Sequence, residues 1–290
     1  MYTLENAELS VAILDPETDL ERCGSRYCVG GYIYQITDAR HGPLLTGPRY
    51  PDPYPDVFDG QGAPDAFHNP LGEDAPVGGD VRVIGVGRVR RTSPIEPFSA
   101  RHNPEVIEFL PWRVKQTANS ITMTTEDRCG DWGYRLTRRL TLTDRILDSR
   151  TEMECLGDTP LSVRWFPHPF YPPTVDGLLC RFSIPVSMPQ NPGFSLREDG
   201  WICQKSDHDW ARGAFQALDF TPQGDDMTIV QRHPVLGDVT AEIDYAPVYL
   251  PIWGNSQTFS FEPYFATKLA RDERASWGIA YQFGGEGMKR

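Results

Sequence analysis

Residues 161–173 read LSVRWFPHPFYPP, and the run from Leu161 to His168 already constrains the architecture. Leu161, Val163 and Trp165 alternate with Ser162, Arg164, Phe166 and His168. A period of two places the first set on one side of a strand and the second on the other, as in an antiparallel sheet with one core face. In 134–142, Tyr134, Leu136, Leu140 and Leu142 oppose Arg135, Thr137, Arg139 and Thr141, and Arg138 is the exception on the apolar side. In 259–264, Phe259 and Phe261 oppose Ser260, Glu262 and Tyr264. Further strands are expected at 9–14, 29–36, 81–91, 105–115, 119–126, 146–156, 178–184, 226–231, 237–244 and 275–283. No stretch reads as a long amphipathic helix, and 26 Gly and 26 Pro punctuate the chain every few residues. The sequence therefore predicts an all-β protein, a large antiparallel β-sandwich of two extended sheets. No repeat or linker divides it, so 1–290 is read as one domain. Segment 42–80, rich in Pro, Gly and Asp, is read as a long loop over one mouth of the sandwich.

The 28 basic and 40 acidic residues leave a net charge of −12. That field repels phosphate backbones and anionic bilayers, so neither nucleic acid nor a membrane surface is expected as a partner. Arg88, Arg90 and Arg91 leave room for recognition of one small anion. MYTLENAELS at the start lacks the basic and apolar regions of a secretory signal, and no apolar run approaches the ~20 residues of a membrane helix. Cys23, Cys28, Cys129, Cys155, Cys180 and Cys203 form no CxxC pair and are expected to be reduced and mostly buried. The expected compartment is the cytoplasm.

Two residues stand out chemically. His168 lies, by alternation, on the side away from Val163 and Trp165, where a core histidine would not be; the plainer reading is a strand-capping residue on a crowded loop. Glu262, in FSFEPYF, is a carboxylate among aromatics, suited to a raised pKa and proton transfer, unless it makes a surface ion pair with a residue such as Lys268. In VRVIGVGRVRR (81–91), Arg82, Arg88 and Arg90 share one face. Gly85 and Gly87 suggest a bulge or a close approach of backbone, and the alternative is an ordinary charged sheet face. GVG lacks the Lys-Ser/Thr ending and following helix of a phosphate loop. No HExxH, paired-carboxylate or Cys/His cluster implies a metal, no cofactor is expected, and no GxSxG supports a serine hydrolase. His41 and His208 read as loop histidines, whereas Trp112, Trp201, Trp210 and Trp253 near turns could serve as aromatic platforms.

Together these residues resemble the aldose 1-epimerase, or galactose mutarotase-like, superfamily, whose β-sandwich is called a supersandwich. His168 in HPFY looks like that family's His-x-aromatic strand end, and Glu262 in FSFEPY looks like its general base. GVGRVRR is similar to the strand whose arginine binds the sugar, which maps onto Arg88, with Arg82 beside it. The family's histidine in that strand is Ile84 here, and His68 is the expected replacement for its sugar contact. The resemblance implies substrate contacts at Arg82, Arg88, His68 and Trp253, and a cofactor-independent isomerase for a small-molecule sugar. Glu262 would take the proton of the anomeric hydroxyl while His168 protonates the ring oxygen, from opposite sides of the ring. A low-pH limb from Glu262 and a high-pH limb from His168 would follow. The alternatives are a non-catalytic sugar-binding protein on the same fold, or an isomerase or lyase acting on an unusual sugar derivative.

Overall fold

Trp132–Thr143 pairs in unbroken antiparallel register with Ser120–Cys129 on one side and Ile146–Cys155 on the other. This hairpin-linked trio seeds a ten-stranded sheet that runs from Phe194–Leu196 at one edge, through Arg274–Phe283 near its middle, to Arg113–Gln116 at the other. The computed structural model describes residues 1–52 and 57–284. The inner face of the large sheet carries Met123, Tyr134, Leu136, Leu140, Met153 and Trp277, all buried. Against it pack Leu161, Val163 and Trp165, so that side of the opening stretch is core as the alternation requires.

The opposite layer is segmented rather than continuous. It consists of short antiparallel sheets: Phe265–Leu269 with Leu161–Pro167 and Asp65–Phe67, and Ala214–Ala217 with Pro251–Gly254 and Phe259–Phe261. Tyr171 bridges Phe259, and Tyr249 bridges Tyr264, which ties these two sheets together. Prolines set several of the breaks. Pro263 follows the Phe259–Phe261 strand, and Pro111 separates Val106–Phe109 from Arg113–Gln116, because proline offers no N–H to a ladder.

Three expectations are corrected by the structure. Segment 81–91 is not one strand but a hairpin, Asp80–Val83 and Gly87–Arg90, turning at Ile84-Gly85-Val86. Gly85 has φ +76°, and a Cβ there would lie 2.5 Å from the Cys28 sulfur, so the close approach is real and it makes a turn. Segment 42–80 is not simply a loop: it supplies the buried Asp65–Phe67 strand and the start of the Asp80–Val83 strand, while residues 53–56 of it lie outside the described residues. Finally, the second face of Leu161–Pro167 is polar only over its first part, at Ser162 and Arg164. Phe166 joins Tyr27, Val29, Tyr32, Phe170 and Tyr264 in a separate buried cluster, so the end of the strand next to His168 is apolar on both sides.

Arg138, the exception in the alternation, is 1% exposed on the core side. Its guanidinium pairs with Asp65 and donates to Ser149 and Thr151, so the charge is neutralised across the sandwich. All six cysteines are unpaired, four of them buried. Among the described residues no helix is long and apolar enough to cross a membrane.

Candidate active site

His168 sits one residue past the end of its strand, between Pro167 and Pro169, neither of which has an N–H to satisfy. The histidine's own N–H donates to Pro64 O at 2.8 Å, and Phe170 N–H donates to Gly62 O at 2.8 Å. The backbone is thus fixed on both sides of the imidazole. Glu262 follows Phe261 directly, and its N–H donates to Pro251 O at 2.9 Å. Ser260 and Glu262 are two residues apart on extended chain, so both side chains reach the same side. They hold the imidazole at its two nitrogens: Ser260 Oγ lies 2.8 Å from Nδ1, and Glu262 Oε1 lies 3.3 Å from Nε2. The ring stacks on Phe170 at 4.4 Å, with the edges of Tyr27 and Trp253 at 5.9 and 6.4 Å.

His168 is 2% exposed and Glu262 5% exposed. Burial pushes the Glu262 carboxyl up to about 7, opposed by the field of Arg26. Burial pushes the His168 imidazole well below its ordinary value, and Arg26 adds to that. Burial therefore favours the uncharged form of both groups, a protonated carboxyl beside a neutral imidazole, so the pair holds one proton to give and one site to receive. Glu262 is not a surface ion-pair partner of Lys268, which pairs with Ser162 across a different sheet.

The pair sits in a cavity of about 990 Å³. His68 and Trp253 line it, together with Arg26, Phe58, Phe98 and Tyr264. His68 is placed by its N–H bond to Arg164 O at 2.8 Å and packs edge-on to Tyr264 at 5.9 Å. Burial, reinforced by Arg164 and Arg26, lowers its pKa.

Arg82 and Arg88 are elsewhere. They face each other across the hairpin on its outward side, with Arg82 3.4 Å from Asp127 and Arg88 3.4 and 3.3 Å from Asp80 and Glu108. The hairpin's contribution to the cavity wall is Val83 from the opposite face, and Ile84 is buried in the main core. The cation whose field acts on His168 and Glu262 is Arg26, which lies over the rings of Tyr27 and Phe58 at 4.9 and 4.6 Å and donates to Phe58 O at 3.3 Å. Sequence reading missed Arg26 because it lies in a loop, CGSRYC, with no periodicity to orient it. Ser260 was also missed as a site residue, although its spacing from Glu262 was visible. Among the described residues, no group of three or more His, Cys, Asp or Glu is placed to hold a metal ion.

No protein-family model and no curated protein matches the chain. Solved structures do match it along nearly its whole length. A galactose mutarotase related enzyme from Lactobacillus acidophilus superposes with a TM-score of 0.61 at 14% identity, covering 98% of this chain and 97% of that one. A galactose mutarotase-like protein from Lactobacillus casei gives 0.54 at 12% identity, covering 97% and 99%. An aldose epimerase homologue from C. elegans gives 0.52 at 12%, covering 97% of each chain. Identities this low speak for the backbone and not for the chemistry. The chain has the galactose mutarotase-like fold, the all-β sandwich that its strand alternation and its His168 and Glu262 segments led us to expect.

Proposed function

We propose that this protein is an aldose 1-epimerase-like isomerase that interconverts the anomers of a sugar by acid-base ring opening at His168 and Glu262. The observation that carries this reading is the buried contact of 3.3 Å between His168 Nε2 and Glu262 Oε1 inside the large cavity. The two atoms that exchange protons in mutarotation, the anomeric hydroxyl oxygen and the ring oxygen, are bonded to the same carbon. Groups set side by side, rather than across the ring, can serve both. In the form carrying one shared proton, the unprotonated member of the pair takes the hydroxyl proton as the C1–ring oxygen bond breaks, and the protonated member delivers its proton to the ring oxygen. Rotation about C1–C2 and closure on the other face return both protons, so the protein ends unchanged. Arg26, His68 and Trp253 line the same cavity and would contact the sugar; Arg82 and Arg88, paired with acids outside the cavity wall, would not.

Exchange NMR on a panel of aldoses tests the reading. Some aldose should equilibrate faster with the protein than without it. Glu262→Gln and His168→Asn should each remove about 10²–10⁴ of that acceleration. The double variant should lose little more than either single one, because both groups act on one transition state. A folded protein that accelerates no aldose on the panel would refute the proposal.

A further inference from the structure

Trp253 does not stand alone beside His168. It lies on Pro251–Gly254, and directly opposite it, on the neighbouring strand Ala214–Ala217, is Phe215. Directly opposed residues of an antiparallel pair project from the same face of the sheet. Both line the cavity. One strand spacing, about 4.8 Å, leads from the aromatic beside the imidazole to the next one out. Phe215 is 57% exposed, a large apolar ring at the cavity mouth. Arg212, exposed, also lines the mouth there. The cavity volume of about 990 Å³ falls at the upper end of the about 300–1,000 Å³ typical of ligand pockets, more room than one hexose ring needs.

We infer that Trp253 and Phe215 form an aromatic shelf for a second sugar ring, so that the protein takes the reducing end of a disaccharide or longer oligosaccharide. This rests on the reading of His168 and Glu262 as the end that handles C1. With C1 and the ring oxygen at that buried pair, the far side of the first ring faces the mouth. A second ring joined there lies over the shelf, its apolar face against Phe215 and its hydroxyls within reach of the Arg212 guanidinium. Phe215 is a specificity residue in this scheme and takes no part in proton transfer.

The test compares maltose, cellobiose and lactose with glucose and galactose, in wild type, Phe215→Ala and Phe215→Tyr. Binding is measured by calorimetry and anomer exchange by NMR. At least one disaccharide should bind about tenfold tighter than its monosaccharide, the scale expected for covering one aromatic face. Phe215→Ala should erase that advantage while leaving monosaccharide binding within about twofold, and Phe215→Tyr should keep it. Equal binding of mono- and disaccharides to wild type, or an equal loss for both in Phe215→Ala, would overturn the shelf. Because binding and exchange are read separately, the two claims fail separately. A disaccharide preference without exchange supports the shelf and refutes the isomerase; exchange without the preference does the reverse.

Discussion

At the scale of single residues, the site is defined by what burial does to two proton affinities. If Glu262 and His168 titrated independently near their ordinary values, Glu262 would set the acid limb of a rate profile and His168 the basic one. The structure reverses that order, because burial raises Glu262 to about 7 and drives His168 down. Two groups 3.3 Å apart titrate as a unit, and the form carrying one shared proton is the one able to act as base and acid together. Keeping an ionisable carboxyl in such a place has a stability cost with a definite sign. Glu262 has a folded-state value above its unfolded one, so below pH 4.5 both states are protonated and nothing is lost. As pH rises from 4.5 to about 7 the unfolded state ionises first, and stability falls. Glu262→Gln should therefore stabilise the protein at pH 8, by at most about 3 kcal/mol, and leave it nearly unchanged at pH 4. Urea denaturation at the two pH values checks this; equal effects at both would remove the raised carboxyl from the account. Ser260 acts through the imidazole. Its hydroxyl can donate to Nδ1 at 2.8 Å when the ring is neutral, or accept from it and turn toward Phe261 O at 3.4 Å when the ring is charged. Ser260→Ala should shift the His168 ring ¹⁵N resonances toward a mixture of tautomers, and unchanged resonances would leave Ser260 a packing residue.

At the scale of elements, the alternation in LSVRWFPH located a strand and one of its core faces, and 134–142 did so as clearly. Its failure at 81–91 has a physical reason. Val81, Val83, Val89 and the arginines keep a period of two straight through the turn, so hydrophobic pattern alone could not separate one long strand from a hairpin. Gly85 held the information, since its left-handed backbone closes the turn against Cys28. Gly85→Ala should cost about 1–3 kcal/mol from backbone strain alone, more with the contact to the Cys28 sulfur. The Cys28→Ala background should recover only the steric share, measurable as a coupling in a double-mutant cycle. Full additivity would mean that the turn does not press on Cys28. The same hairpin bears on Arg88: the resemblance of GVGRVRR to a sugar-binding strand implied a substrate contact there, and the tertiary arrangement turns that face toward Asp80 and Glu108.

At the scale of the whole molecule, the large sheet and the segmented layer are joined by core packing and by one buried charge pair. Arg138 broke the alternation of 134–142, and its reason lies 73 residues away in sequence, at Asp65. Asp65 belongs to the strand that pairs with Phe166 and Pro167, immediately before His168, so the pair anchors the layer carrying the site. No local pattern could have announced that contact. Asp65→Ala leaves Arg138 buried without its partner and should cost about 3–5 kcal/mol, whereas the double change Arg138→Met with Asp65→Leu should cost clearly less. Urea unfolding of the two variants decides; a mild loss in Asp65→Ala would mean that the ion pair is dispensable to the sandwich.

The central claim is that the one-proton state of the His168–Glu262 pair performs anomer exchange, and kcat/KM as a function of pH reads it most directly. The account predicts a bell whose basic limb falls at about pH 7, where Glu262 gives up the shared proton, with the activity lost in Glu262→Gln although sugar is still bound. A rate that climbs through pH 7 to a plateau, or a Glu262→Gln variant as fast as wild type, would contradict it.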